Sequence, residues 1–105
     1  MNSISAKEAK ELIAKGEAQV LDVRTPSEFS GGHIPGAINI DIGSPTFEVA
    51  IKKLDMSKPY VVNCQSGGRS SRACSIMQNL GFKSAMNLDG GITSWKSEGF
   101  PVEKQ

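Results

Sequence analysis

The chain has 105 residues, a formal net charge of +1, 38% hydrophobic residues and 22% charged residues. This length and balance predict one soluble globular domain over residues 1–105, large enough to bury a real core. The near-neutral charge provides no overall electrostatic field, so we expect neither nucleic acid nor an anionic membrane as a partner.

The first half of the chain predicts short helices alternating with strands. Ser5-Ala6-Lys7-Glu8 has the form of a capping box, and apolar residues at helical spacing follow it. A buried strand is predicted over 19–23. Thr25-Pro26-Ser27-Glu28 is a second capping box, with proline at the first helical position, and opens a short helix. Residues 37–40 then form a short strand.

The second half repeats this alternation. Ser44-Pro45 opens a helix, residues 60–63 form a buried strand, and a longer amphipathic helix ends at Gly81. A last strand over 85–88 precedes a final helix that ends near Gly99. Strands of four or five residues that alternate with helices predict an α/β domain, in which helices cover both faces of a mostly parallel sheet.

The loop between the strand 60–63 and the longer helix carries the candidate chemistry. It begins with Cys64, and its glycines, Gly67 and Gly68, allow the backbone N–H groups to converge. Together with the open end of the helix, these groups form a positive nest that binds anions. The helix dipole and Arg69 favour the thiolate form of a cysteine in this position. We therefore predict a reactive Cys64 that is not buried, rather than the buried structural cysteine that is the commoner case.

Four motifs, in this order, resemble the rhodanese (sulfurtransferase) family. They are Leu21-Asp22-Val23-Arg24 followed by Glu28-Phe29, Gly32-His33-Ile34-Pro35-Gly36-Ala37-Ile38-Asn39, the loop that runs from Cys64 through Arg69 to Arg72, and Asp89-Gly90-Gly91-Ile92 with Trp95. The resemblance extends from about Ile4 to Pro101, nearly the whole chain. It implies a three-layer α/β/α domain with a mostly parallel central sheet of about five strands.

The resemblance also implies a thiosulfate sulfurtransferase-type activity. Sulfane sulfur would pass from thiosulfate or from a persulfide or polysulfide donor to Cys64, and then to cyanide, a thiol or a protein acceptor. One alternative is a non-catalytic module that uses the same fold for sulfur carriage or protein interaction, but such relatives typically lack the loop cysteine. A cysteine-based phosphatase or arsenate reductase-like enzyme is a weaker alternative. In phosphatases five residues separate the cysteine from the arginine, whereas four separate Cys64 from Arg69.

The loop residues are the predicted substrate-binding set: Gln65, Ser66, Gly67, Gly68, Arg69 and Ser70. We expect Arg69 to close the loop and meet the anionic donor. Ser70 either donates its hydroxyl to the thiolate or caps the helix. Arg72 either lines the entrance or is solvated. Gln65 stands where many thiosulfate-using relatives carry arginine, which removes one positive charge and leaves the physiological donor open.

The remaining polar residues of the motifs are predicted to be structural. Asp22 and Arg24 either support the loop or pair locally, with each other or with Glu28. His33, the only histidine, is expected to hold its turn by hydrogen bonds rather than to serve Cys64 as a base. One histidine and two distant cysteines do not form a metal-ligand cluster, so we expect neither a metal nor another cofactor.

No targeting or membrane segment is evident in the sequence. The N-terminal residues contain no long apolar run, and no stretch approaches the roughly 18 apolar residues of a membrane helix. We therefore expect a cytoplasmic protein. Cys64 and Cys74 are too few for a disulfide framework, and their predicted separation along the helix argues against a bridge between them.

Overall fold

A computed structural model describes residues 2–104, whose five strands form one parallel sheet. In chain order the strands are β1 (Asn2–Ile4), β2 (Gln19–Asp22), β3 (Ile38–Asn39), β4 (Pro59–Asn63) and β5 (Ser84–Leu88). Their order across the sheet is β1-β5-β4-β2-β3, and every neighbouring pair is parallel. The predicted α/β class and parallel sheet are confirmed.

In the described part of the chain, five helices connect and cover the strands. They are α1 (Ala6–Ala14), α2 (Pro26–Ser30), α3 (Phe47–Ile51), α4 (Gly68–Leu80) and α5 (Gly91–Ser97). Both predicted capping boxes are present: Ser5 Oγ accepts from the N–H of Glu8 at 3.1 Å, and Thr25 Oγ1 accepts from that of Glu28 at 3.2 Å. Within residues 2–104, no helix has the length and apolar character that would span a membrane.

Helices cover both faces of the sheet, which gives the three predicted layers. On one face, α3 and α4 pack over alternate residues of β2 and β4, including Leu21 and Val62. On the other face, α1 and α5 pack over the intervening residues, including Val20 and Val61. All four of these strand residues are almost fully buried, so the central strands are apolar on both sides, as expected for a covered parallel sheet.

One strand was missed, and several element boundaries differ from the predictions. β1 was not predicted, because its three residues show no periodic pattern; its pairing with β5, from Asn2 opposite Met86, defines it. The predicted strand 37–40 is reduced to Ile38–Asn39. α3 starts at Phe47 rather than at Ser44-Pro45, because the serine and proline form a turn in which the carbonyl of Ser44 accepts from the N–H of Phe47.

The strand order creates a crevice at the carboxyl ends of β2 and β4. From β2 the chain continues to β3 on one side, whereas from β4 it continues to β5 on the other. Such a topological switch point is where ligands bind in open α/β sheets. Asp22 lies opposite Asn63 at the end of this strand pair, so the residue that follows Asn63, Cys64, lies at the crevice.

Candidate active site

Cys64 lies directly after β4 and before α4, as the sequence predicted. The expectation that it is not buried is wrong, because the residue is only 2% exposed. The loop curls round it, so that the N–H of Gly67 points back to Cys64 Sγ at 3.1 Å. Gly67 has φ 115°, the left-handed conformation that glycine adopts without strain. This turn directs the sulfur inward toward the amides of its own loop.

Hydrogen bonds at Cys64 favour the thiolate. Burial by itself raises the pKa of the Cys64 thiol, but the hydroxyl of Ser70 and the backbone N–H groups of Ser70, Gly67 and Ser66 outweigh that effect. The net pKa of Cys64 therefore lies below its ordinary value. The N-terminus of α4, which begins at Gly68, adds a positive dipole end beside the sulfur. The N–H of Gly67 and the N-terminus of α4 are therefore both directed at Cys64 Sγ.

Ser70 links this sulfur to β5. It is fully buried in the first turn of α4, with its Oγ 3.3 Å from Cys64 Sγ. The same hydroxyl contacts the side-chain oxygen of Asn87 and the carbonyl of Gly67, and Asn87 Nδ2 donates to that carbonyl at 3.3 Å. Of the two roles considered for Ser70, the contact with the sulfur is observed, whereas the N-cap position is occupied by Gly67.

Removing the Ser70 hydroxyl should weaken the thiolate. In Ser70→Ala, we expect Cys64 to react with iodoacetamide roughly tenfold more slowly at neutral pH, because a hydrogen bond to a charged group is lost and the pKa of Cys64 rises. The pH dependence of alkylation measures this effect. Ser75→Ala, an exposed serine of the same helix, is the control and should leave the rate unchanged. A Ser70→Ala variant with the wild-type pH profile would contradict this role.

The start of α5 holds the loop from the other side. Its N–H groups at Ile92 and Thr93 donate to the carbonyls of Cys64 and Gln65, at 2.9 and 3.2 Å. The Gln65 side chain donates to Thr93 Oγ1 at 3.1 Å, and that hydroxyl donates to the Gln65 carbonyl at 3.0 Å. Gly91 has φ 57°, and a Cβ there would lie 2.5 Å from the Cys64 carbonyl oxygen. Only glycine allows this approach.

Gly91→Ala should therefore destabilise the domain through the loop backbone. We expect its free energy of unfolding to fall about 2 kcal/mol further than in Gly16→Ala. Gly16 also has positive φ, 71°, but a Cβ there meets nothing within 4 Å, so this control isolates the clash from the backbone strain. Urea unfolding of the three proteins measures the difference. Equal losses of unfolding free energy in both variants would show that the loop accommodates the added methyl group without destabilisation.

Arg69 makes an ion pair that the sequence did not predict. Its two terminal nitrogens donate to the two carboxylate oxygens of Glu28, at 2.7 and 2.9 Å. This two-point bond to Arg69, opposed only in part by burial, lowers the pKa of Glu28 to about 2. Arg69 was expected to meet the anionic donor, and the structure shows its guanidinium bound to a carboxylate of the protein.

The structural residues behave largely as predicted. Arg24 is buried and pairs with the buried Asp22 at 2.8 Å, and the same nitrogen atom donates to the carbonyl of Gly32. Asn63 Nδ2 approaches the Asp22 carboxylate at 3.4 Å, which connects this pair to the strand that carries Cys64. His33 is buried, stacks on Phe29, and its Nδ1 lies 2.9 Å from the Phe29 carbonyl oxygen, as a turn-holding role requires.

Other predicted site residues lie outside this network. Arg72 is exposed on α4, three residues beyond Arg69. Cys74 is a fully buried free thiol in the apolar core, where burial raises its pKa to about 12. Residues 2–104 contain no group of three or more histidine, cysteine or acidic side chains able to hold a metal ion.

Three residues of the site were not predicted: Glu28, Asn87 and Gly91. The capping box already accounted for Glu28, so the sequence offered no reason to predict its ion pair with Arg69. Asn87 carried a weak signal, because a polar side chain within a buried strand needs a partner. The glycine pair Gly90-Gly91 after β5 is typical of a close backbone approach, but the sequence does not identify the segment that approaches it.

The molecule is a parallel α/β domain that places a cysteine loop at the carboxyl end of a central strand, at the switch point of the sheet. The model of the Rhodanese-like domain family matches residues 5–98. The chain belongs to the rhodanese-domain sulfurtransferase family.

Individual relatives agree with this assignment. "Thiosulfate sulfurtransferase 16, chloroplastic" of Arabidopsis thaliana is 36% identical, over 97% of this chain and 92% of the relative. "Thiosulfate sulfurtransferase GlpE" of Ectopseudomonas mendocina is 35% identical, over 95% and 88%. Among solved structures, a rhodanese-related protein from Thermoplasma volcanium has a TM-score of 0.90 and 37% identity, covering all of both chains.

Proposed function

We propose that this protein transfers sulfane sulfur through a persulfide on Cys64. The thiolate attacks the outer sulfur of thiosulfate or of a persulfide, and the bond from that sulfur to the rest of the donor breaks. The leaving group, sulfite or a thiolate, takes the bonding electrons, and Cys64 carries one added sulfur with a single negative charge. Cyanide or a thiolate then attacks the outer sulfur, forms thiocyanate or a new persulfide, and returns the Cys64 thiolate.

The observation that carries this proposal is the hydrogen bonding around Cys64 Sγ. The N–H of Gly67 and the hydroxyl of Ser70 lie 3.1 and 3.3 Å from the sulfur. These groups stabilise the attacking thiolate at neutral pH. Fixed donors at the N-terminus of α4 then lie near the negative charge that develops on the outer sulfur, which lowers the barrier as an oxyanion hole does. The names of the relatives given above support the same reaction class.

The retained cysteine and its low pKa favour an enzyme over a non-catalytic module. A purely structural cysteine gains nothing from donors that stabilise its charged form, as the apolar surroundings of Cys74 illustrate. The phosphatase alternative is further weakened, because Glu28 neutralises the charge of Arg69, the residue that would bind a phosphate. Sulfur transfer therefore remains the function that this geometry supports best.

Loading of the protein with sulfur tests the proposal. The wild type is incubated with thiosulfate, desalted and weighed by native mass spectrometry, and its mass should increase by one sulfur atom. Cyanide should then remove that sulfur as thiocyanate. Protein alkylated beforehand at its reactive thiol is the control and should not load. An unmodified mass after incubation with thiosulfate, with polysulfide and with an alkyl persulfide would exclude transfer through Cys64.

A further inference from the structure

The ion pair between Glu28 and Arg69 bridges the crevice at the switch point. Glu28 belongs to α2, which follows β2, and Arg69 belongs to α4, which follows β4. The chain leaves these two paired strands in opposite directions across the sheet, at the crevice where Cys64 lies. The pair is therefore part of the binding region rather than of a distant surface. Its guanidinium lies close enough to the loop for the charge of the Cys64 thiolate to contribute to raising the pKa of Arg69, after the larger effect of Glu28.

The carboxylate of Glu28 is held in place before it meets Arg69. One of its oxygens accepts from both the backbone N–H and the hydroxyl of Thr25, each at 3.1 Å, in the capping box of α2. With a pKa of about 2, Glu28 is ionised throughout the neutral range. A two-point guanidinium–carboxylate contact is also geometrically specific. The contact uses two of the five guanidinium N–H groups, and the carboxylate cancels the positive charge that a donor would otherwise meet.

Little other positive charge is available at the loop. Of the three arginines, Arg24 is bound to Asp22 and Arg69 to Glu28, and within residues 2–104 only Arg72 lacks an ion pair. The residue after Cys64 is the neutral Gln65, whose amide is occupied by Thr93. Coulomb energy scales with the charge of the ligand, so the loss of one positive charge from the site weakens the attraction of a dianion about twice as much as that of a monoanion.

We propose that Glu28 determines donor specificity at this site: by neutralising Arg69, it favours singly charged alkyl persulfides over dianionic thiosulfate as the sulfur donor. This inference rests on the proposed sulfur transfer through Cys64 and adds the charge class of the donor. The loop amides contact the reacting sulfur of either donor. The Glu28–Arg69 ion pair instead affects binding through the charge on the remainder of the donor. Reactivity and selectivity are thereby assigned to different residues.

Glu28→Gln removes the charge and keeps the cap, because glutamine also serves at this position of a capping box. Rates of Cys64 persulfidation are measured in single turnover, with thiosulfate and with 2-hydroxyethyl persulfide as donors. With Arg69 released, we expect the second-order rate constant to rise roughly tenfold for thiosulfate and about threefold for the persulfide, and both gains to shrink at high salt. Glu8→Gln alters the equivalent residue of the α1 capping box and should change neither rate.

Arg69→Gln provides a test in the opposite direction, which also serves if Glu28→Gln does not fold. It leaves Glu28 unpaired, so the rate constant for persulfidation should fall more with thiosulfate than with 2-hydroxyethyl persulfide. If the wild type loads but the ratio of the two rates stays constant in both variants, Glu28 does not set specificity, although sulfur transfer stands. If the wild type loads from neither donor, the proposed function fails and this inference fails with it.

Discussion

Cys64→Ser is expected to lower the rate of sulfur transfer by roughly a thousandfold or more. A serine hydroxyl does not ionise at neutral pH, and its oxygen cannot form the sulfur–sulfur bond on which the two-step reaction depends. The donors at Ser70 and Gly67 would remain in place with no thiolate to stabilise. The thiosulfate–cyanide assay measures the loss, and mass spectrometry should show no added sulfur.

The same substitution should leave the fold largely intact. Serine accepts hydrogen bonds from the same N–H and hydroxyl groups, so we expect the free energy of unfolding to change by only about 1 kcal/mol. Thermal unfolding, recorded alongside the assay, distinguishes loss of chemistry from loss of structure. A Cys64→Ser variant that is folded and still transfers sulfur at a substantial rate would place the nucleophile elsewhere.

Cys74 provides the matched control, since it is the second of the two cysteines. It is fully buried among apolar side chains of α4 and the sheet, and its raised pKa keeps it a neutral thiol. Cys74→Ala removes the sulfur without placing a hydroxyl in that apolar core. We expect a modest loss of stability and nearly unchanged sulfur transfer. Equal losses of activity in the Cys64 and Cys74 variants, with both folded, would contradict the assignment.

The features that local chemistry decides were predictable from the sequence. Each capping box closes within four residues, so the starts of α1 and α2 followed from Ser5 and Thr25 alone. The apolar strand 60–63 followed by two glycines placed Cys64 at a strand end with amides around it. The alternation of strands and helices was sufficient to predict the parallel sheet, because parallel neighbouring strands need crossover connections of this kind.

The features that depend on distant contacts were not predictable in the same way. Glu28 and Arg69 are 41 residues apart, and neither shows in sequence that the other will be its partner. β1 is defined by its pairing with β5, at the opposite end of the chain. The inward direction of Cys64 depends on the left-handed turn at Gly67 and on α5, whose close approach requires Gly91. Register and side-chain direction emerge only once the layers have packed.

The length of the loop that carries Cys64 should also be decisive for sulfur transfer. Four residues separate Cys64 from Arg69, and within this span the left-handed Gly67 places its N–H 3.1 Å from the sulfur. α4 starts at the next residue, so the position of the helix end is fixed by the same short span. The loop is tethered at its other side, where α5 binds the carbonyls of Cys64 and Gln65. An added residue must therefore widen the nest between these two anchors.

Inserting one glycine between Ser66 and Gly67 is expected to reduce sulfur transfer roughly a hundredfold. Glycine adds no side chain and tolerates positive φ, so the main change is the loss of close N–H donors at the sulfur; losing one such donor typically costs about 3 kcal/mol. The thiosulfate–cyanide assay measures the effect. The same insertion between Gly16 and Glu17, in the exposed loop before β2, is the control and should preserve the rate. A folded loop variant that transfers sulfur at the wild-type rate would show that loop length does not tune this nest.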